Sequence, residues 1–328
     1  MQDFLKRFWF VTLVGILFVF AIGYYVVEQS KEILKGKTVD GNDIVFEING
    51  ENITADDFYT ELVDQIGISA AYALIEKAVV EQNGEVNADI ESEAKIQAEN
   101  TINSFKEYYG DDYEDVLLQS LQAVGYQSVD ELKDYFIHLI ALDEMTLEYL
   151  YANQEEFVVP FLTNSKPRLV SHILIAMDDP DNPTEEEQNR WDNAIEALDS
   201  DMTFEEVATE YSDDTASATN QGSLGYVDDA TEFVPEFLDA ALALDADNPL
   251  SEWVKTSYGY HLIRLDAADL DTLKQEDGFK AALIAANSNA QQQMIWNKAQ
   301  ELGLSFNGEQ YDKLQEELEN FINPTEDE

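Results

Sequence analysis

Apolar and polar positions divide the chain into an apolar run, a helical stretch, a mixed segment and a second helical stretch. The run Phe8–Val27 contains no charge and spans about 20 residues, enough to cross a hydrocarbon core of about 30 Å. Lys6 and Arg7 precede it, which favours a cytoplasmic N-terminus. We therefore predict one transmembrane anchor with the bulk of the chain on the extracytoplasmic side. A cleaved signal peptide is the alternative, but the run is long for one and its last residues, Gly23–Val27, make a poor cleavage site.

The stretch after the anchor begins as a polar tether and then becomes helical in pattern. Ile44–Ile48 reads as a strand that ends at the turn signal Asn49-Gly50. Up to about residue 157, apolar residues recur at helical spacing, as Leu117 and Leu121 do. These stripes are most simply the packed faces of helices.

Beyond Pro167 the pattern changes to strand, three helices and strand. The strands are Leu169–Ala176 and Tyr260–Leu265, and a loop containing Gly222 and Gly225 separates the second helix from the third. Helix-start signals are the spaced pairs Thr184 with Glu187 and Thr203 with Glu206, and Pro235. This order predicts an α+β domain with helices packed on a small sheet.

From Asp271 the spacing is helical again, so the chain reads as four parts. These are a cytoplasmic stub with the anchor (1–27), a tether with a helical lobe (28–166), the α+β domain (167–266) and a helical C-terminal part (267–328).

The charge of the chain is strongly acidic. There are 18 Lys plus Arg against 68 Asp plus Glu, a formal net charge of −50. Such a field repels nucleic acid, so we exclude a nucleic-acid partner. The acidity fits either an ordinary solvated surface or a cation-rich exterior that screens self-repulsion. The absence of cysteine excludes disulfides, cysteine metal sites, a cysteine nucleophile and a lipid-modified cysteine.

Two of the three histidines occupy matching contexts in the α+β segment. His172 lies on its first strand and His261 on its last, whereas His138 lies on an apolar helix and receives no role. A histidine among apolar strand residues is usually a satisfied core residue. If the two strands are neighbours, however, the imidazoles can share a hydrogen bond across the sheet.

Residues 168–266 as a whole resemble the parvulin family of prolyl isomerases. The matching stretches are Arg168–Ile175, Thr203–Asp214, Asn220–Tyr226, Phe233–Phe237 and Val254–Ile263. Their order and spacing agree throughout. The departures Gln221, Ser223 and Leu242 touch neither the histidines nor the pocket that the family uses.

The resemblance implies a fold, an activity and a set of site residues. The implied fold is a β-α3-β-α-β2 domain, and the implied activity is cis–trans isomerisation of X-Pro bonds, without cofactor or metal. The implied catalytic residues are His172, Asp214, His261, Thr256 and Tyr258, and the implied proline pocket is Leu224, Phe233 and Phe237. The acidic loop 178–187 stands where phosphate-reading members have basic residues, so a phosphorylated substrate is not expected.

The flanks are similar, more diffusely, to the PrsA-type extracytoplasmic foldases and the SurA and PpiD periplasmic chaperones. In those families the parvulin domain is inserted in a mainly helical chaperone lobe built from the N- and C-terminal parts. The expected partners are unfolded or newly exported polypeptides with X-Pro bonds, and the membrane through Phe8–Val27. The anchor is a departure, because PrsA proteins are typically lipoproteins.

Other interpretations stay open at this point. The parvulin domain could serve a holdase chaperone for binding alone, although its intact site residues argue against this. The acidic face could belong to an ion-binding or adhesion protein, yet loop 178–187 lacks the glycine and the bidentate glutamate of an EF-hand. The oligomeric state is open, with a homodimer among the alternatives.

Overall fold

The computed structural model describes residues 37–39, 42–49, 51–55, 57–58, 61, 68–306 and 311–323. These belong to two units, 1–73 and 74–328. The predicted anchor Phe8–Val27 lies outside the described residues. Within the part of the chain that the structure does describe, no helix has the length and apolarity needed to span a membrane.

The first unit contains an antiparallel three-stranded sheet. Its strands, in sheet order, are β1 (Lys37–Val39), β2 (Asn42–Ile48) and β3 (Glu51–Thr54). Asn49 has φ of 53°, a left-handed conformation that asparagine tolerates, and so confirms the predicted turn between β2 and β3.

Helices fill the chain from residue 68 to residue 164. They are α1 (Ile68–Asn83), α2 (Ala88–Tyr109), α3 (Tyr113–Ala123), α4 (Leu132–Ala152) and α5 (Gln154–Asn164). Leu117 and Leu121 are buried in a core with Ala98 and Leu132, as their spacing predicted. The helical pattern was expected to end near residue 157, but α5 continues through Pro160. Pro160 is exposed, so the carbonyl group that its missing N–H leaves unpaired lies near water.

The next segment is α+β and follows the order β-α3-β-α-β2. Its elements are β4 (Arg168–Ala176), α6 (Glu185–Leu198), α7 (Phe204–Tyr211), α8 (Thr215–Ala218), β5 (Ser223–Val227), α9 (Pro235–Ala243), β6 (Val254–Thr256) and β7 (Gly259–Ala267). The strands form one antiparallel sheet in the order β5-β4-β7-β6. Both predicted capping boxes are present, at Thr184/Glu187 and Thr203/Glu206.

The two faces of this sheet are covered by different helices. On one face Ile173, Ile175 and Leu262 pack with residues of α6 and α7. On the other face Val170 and Ile263 pack with Phe237 and Ala241 of α9. Because side chains alternate along a strand, successive residues of β4 and β7 belong to opposite faces.

Four C-terminal helices complete the described chain. They are α10 (Leu270–Leu273), α11 (Asp277–Ala286), α12 (Ser288–Glu301) and α13 (Asp312–Ile322). Residues of α4 and α5 share one buried core with residues of α10, α11 and α12, so the sequences before and after the α+β segment fold together.

Two strands of the α+β segment contact that helical core. Tyr226 of β5 and Leu169 of β4 pack against it, and the Tyr226 ring lies 6.3 Å from the Phe279 ring, centre to centre. A Cβ atom at Gly278 would approach the Tyr226 ring to 3.1 Å, closer than ordinary contact. The Tyr226 hydroxyl donates to Asp228 at 2.8 Å.

Candidate active site

The two strand histidines meet on the α9 face of the sheet. Strands β4 and β7 are paired so that His172 lies opposite Ile263 and His261 lies opposite Leu174. The histidines are therefore diagonal neighbours on one face. Their Nδ1 atoms are 3.3 Å apart, their rings are stacked with 18° between planes, and each residue is 5% exposed. The two strands are neighbours, and the hydrogen bond expected in that case is present.

Asp214 approaches His172 from the start of the short helix α8. Its Oδ2 atom lies 2.8 Å from His172 Nε2 and accepts the Ser217 hydroxyl at 2.5 Å. The other carboxylate oxygen accepts the backbone N–H of Ala216. The chain just before Asp214 is tied to β4, because the Asp213 N–H donates to the Leu174 carbonyl at 2.7 Å. The carboxylate is thus held in place from several directions.

Thr256 plays the corresponding part beside His261. Its Oγ1 lies 2.9 Å from His261 Nε2 and accepts the Tyr258 N–H at 3.1 Å. The turn that joins β6 to β7 brings these residues together. The Tyr258 side chain is 61% exposed and lines the cleft described below.

For two neutral imidazoles, these contacts fix the direction of each hydrogen bond between the carboxylate and Thr256. Because the Asp214 carboxylate can only accept, His172 Nε2–H donates to it, and His172 Nδ1 accepts from His261 Nδ1–H. His261 Nε2 is then an acceptor for the Thr256 hydroxyl. With both rings neutral, one carboxylate therefore sets the tautomer of both imidazoles.

The electrostatics agree with two neutral rings. Burial lowers the pKa of His172, although Asp214 opposes the shift. Burial and the neighbouring His172 lower the pKa of His261 to about 4. Partial burial of Asp214 opposes ionisation, yet the hydrogen bonds from Ser217 and His172 keep its pKa below the ordinary value. The contact between His172 and Asp214 is thus a hydrogen bond to a carboxylate rather than an ion pair.

An apolar cleft of about 260 Å³ opens above this network. Its lining is His172, Asp214, Leu224, Glu232, Phe233, Val234, Phe237, Tyr258 and His261. The Phe237 ring packs edge-to-face against both imidazoles, and its centre lies 5.5 Å from that of His172 and 5.1 Å from that of His261. Phe233 packs on Phe237 in an edge-to-face arrangement at 4.9 Å. The result is a pocket with aromatic walls and a hydrogen-bonded floor.

A buried arginine ties α9, which contributes Phe237, to the sheet. Arg168 of β4 donates to the carbonyl oxygens of Ala241 and Leu244, at 2.7 and 2.8 Å. A cation at the C-terminal carbonyl groups of a helix is favourable, and here it also fills a buried position. The position of Phe237 over the histidines thus depends in part on Arg168.

The structure brings all eight predicted site residues to one place. Seven of them line the cleft, and Thr256 lies beneath it on His261. Their roles stay predictions. The sequence analysis missed Ser217, Glu232 and Val234. Ser217 stands three residues after Asp214 at a helix start, a cap-like spacing that could have indicated contact.

The residues outside the cleft that the sequence analysis considered have other surroundings. His138 lies 3.5 Å from Glu76 on the helical lobe. In the loop 178–187, Lys255 pairs with Asp181 and Glu187 closes its capping box. Within the described residues, no group of three or more His, Cys, Asp or Glu side chains is arranged to hold a metal ion.

Comparison with known proteins places this geometry in a family. Residues 172–267 match the rotamase family described as the PPIC-type PPIase domain. The Foldase protein PrsA of Geobacillus kaustophilus is 30% identical over 227 residues, covering 69% of this chain and 71% of the relative. The Foldase protein PrsA 3 of Bacillus anthracis is 31% identical over 234 residues, covering 71% of each. The crystal structure of PrsA from Bacillus subtilis covers 83% of this chain and 98% of its own, with 21% identity and a TM-score of 0.38.

The alignments with the two Foldase proteins PrsA extend well beyond the residues of the cleft. The residues matched by the family model include both His172 and His261. The chain belongs to the PrsA foldase family and is a peptidyl-prolyl cis–trans isomerase with a parvulin domain of the PPIC type.

Proposed function

We propose that this chain is a membrane-anchored extracytoplasmic foldase whose cleft catalyses X-Pro isomerisation in newly exported polypeptides. One observation supports the site assignment above all. A fully hydrogen-bonded chain, from Asp214 through His172 and His261 to Thr256, lies directly beneath an aromatic pocket.

The pocket suits a proline ring. Phe233, Phe237 and Leu224 line the cleft and offer apolar contact to the ring. Holding the ring there fixes one side of the prolyl bond and leaves the preceding carbonyl group free to turn. Binding also removes water from the amide, which withdraws the hydrogen bonds that favour its planar form.

The floor of the cleft then favours the twisted amide. Rotation about the prolyl bond faces a barrier of about 18–20 kcal/mol, because twisting ends the amide resonance. That resonance places negative charge on the carbonyl oxygen, and the charge declines as the bond twists. The carboxylate of Asp214 therefore opposes the planar state more than the twisted one. The two histidines hold Asp214 and the cleft floor in place, and no covalent bond forms or breaks.

The test is a prolyl-exchange assay by NMR on the full extracytoplasmic chain. We expect His172→Ala and Phe237→Ala to lose at least about tenfold in catalysed exchange, since each removes a wall or floor of the cleft. His138→Ala is the matched control, because this histidine lies outside the cleft, and it should keep the wild-type rate. If wild type is no faster than the cleft variants, catalysis is refuted and the holdase alternative, which aggregation-suppression assays would then measure, takes its place.

The membrane location is a separate part of the proposal. The uncharged run Phe8–Val27 after Lys6 and Arg7 supports an anchor with the catalytic domain outside. Protease added to intact cells should remove the catalytic domain, and the anchor should stay in the membrane fraction. A mature N-terminus beyond residue 27 would identify a cleaved signal instead. A chain that is protected in intact cells would refute the location.

A further inference from the structure

The rim of the cleft has an unneutralised acidic residue next to the proline pocket. Glu232 directly precedes Phe233, is exposed, and lines the same cleft as Asp214. Among the residues that the structure describes, none forms a hydrogen bond or an ion pair with the Glu232 carboxylate. The lining contains two acidic side chains and no lysine or arginine.

The four basic side chains of the α+β domain bind partners outside the cleft. Arg168 binds carbonyl groups at the end of α9, and Arg190 pairs with Asp213 at 2.6 Å. Lys255 pairs with Asp181, and Arg264 pairs with both Glu205 and Asp266. None of these four residues lines the cleft. The histidines do not offset the two carboxylates either, because both rings are neutral at physiological pH.

We propose that Glu232 makes the cleft selective for prolyl bonds flanked by lysine or arginine. This inference rests on the proposed function of the cleft. A substrate whose ring fills the pocket of Phe233 places its neighbouring residue at the rim where Glu232 lies. A basic neighbour gains an ion pair there, whereas an acidic or phosphorylated neighbour meets like charge from Glu232 and Asp214.

The acidity of the whole chain offers a competing explanation. A protein with net charge of −50 attracts any basic peptide, wherever its charges lie. The two explanations differ in range, since salt screens charges beyond about 8 Å at physiological ionic strength. A local rim effect depends on one residue and persists in part at that salt. A global field depends on all acidic residues alike.

Glu236 provides the matched control. It lies four residues after Glu232, on the first turn of α9, and is exposed, but it does not line the cleft. Glu232→Gln and Glu236→Gln therefore remove the same charge from the same part of the surface. Glu232→Lys adds the converse test, because it reverses the charge at the rim.

The experiment measures catalysed prolyl exchange and peptide affinity by NMR at 0.15 M salt, on the full chain. The probes are a set of tetrapeptides with lysine, alanine or glutamate before the proline, and a second set with these residues after it. In one of the two sets we expect the exchange rate and the affinity of wild type to be about tenfold higher for the lysine peptide than for the glutamate peptide. The lysine gains one attractive contact, and the glutamate meets one repulsive contact. Glu232→Gln should reduce this ratio to about threefold or less, Glu236→Gln should retain it, and Glu232→Lys should invert it.

Several results would overturn the inference. A wild-type lysine-to-glutamate ratio near one in both sets would do so, as would equal losses in Glu232→Gln and Glu236→Gln. The affinities separate this inference from the proposed function. If no peptide shows catalysed exchange but the affinities follow the predicted charge order, catalysis fails and the selectivity of Glu232 stands.

Discussion

The two faces of the catalytic sheet share strands but differ in kind. On the α6 and α7 face, Ile173 and Ile175 of β4 are fully buried among apolar neighbours. One residue along, on the α9 face, His172 is almost equally buried, yet it belongs to a polar network with His261. Both faces exclude water, so burial alone does not separate core from active site.

The difference lies in how the buried polar atoms are satisfied. An unpaired buried polar group costs about 1–3 kcal/mol, so a network in a core persists only when each member has a partner. In the α9 face, all four imidazole nitrogens have one. The α6 and α7 face therefore stabilises the domain by apolar packing, whereas the α9 face holds polar groups in a fixed orientation. Three predictions follow this contrast, from the largest effect to the smallest.

Ile173 and Ile263 are fully buried isoleucines on opposite faces, so they separate stability from activity. Ile173→Ala and Ile263→Ala should each lower the free energy of unfolding by about 3 kcal/mol, through lost burial and the cavity left behind. Only Ile263→Ala should also lower catalysed exchange, because Ile263 lies opposite His172. Urea unfolding and prolyl-exchange rates check this; an equal loss of activity in both folded variants would remove the distinction between faces.

Acid should destabilise the domain through the histidine face. The pKa of His261 is lowered on folding, so the unfolded chain binds the proton first as pH falls below about 6.5. This contribution to stability is complete above that pH and declines towards pH 4, by roughly 2 kcal/mol. Urea unfolding at several pH values, in wild type and His261→Gln, measures it. Parallel curves for the two proteins would contradict the prediction.

Thr256 allows the smallest test, on a single hydrogen bond. Thr256→Val keeps the shape but leaves His261 Nε2 without its donor, at a cost of about 1 kcal/mol in stability and a severalfold loss of exchange rate. Thr256→Ser retains the hydroxyl and should behave like wild type. Nitrogen NMR of the imidazoles should show that only the valine variant mixes tautomers. A serine variant as impaired as the valine variant would indicate a packing role instead.

Local signals in the sequence were sufficient for much of the fold. The capping boxes at Thr184 and Thr203 were readable because their partners stand three residues away. The strands that contain His172 and His261 were readable as apolar runs of strand length. Family resemblance then assembled the site residues, which come from the four strands, the start of α8, helix α9 and the connections between elements.

Strand β5 shows where local signals failed. Its sequence Ser-Leu-Gly-Tyr-Val, with Gly222 before it, indicated a loop, yet residues 223–227 pair with β4. Gly222 has φ of 85°, and a Cβ atom there would lie 2.6 Å from the His172 carbonyl oxygen. The glycine is needed for close approach of two backbones, a tertiary requirement that no periodicity reveals. Glu232 was missed for a similar reason, because only the folded chain brings it to the cleft.

The packing of Tyr226 against Phe279 and Gly278 has a consequence for modularity. A domain with clear sequence boundaries, such as residues 167–266, is a natural unit to transfer to another protein. In this chain such a cut would uncover Leu169 of β4 and the Tyr226 ring of β5, which the helical core now covers. The strand that supplies Leu224 to the cleft is the same strand that supplies Tyr226 to that core. A graft that keeps the isomerase intact must therefore bring α11 with it, or replace both side chains with polar ones.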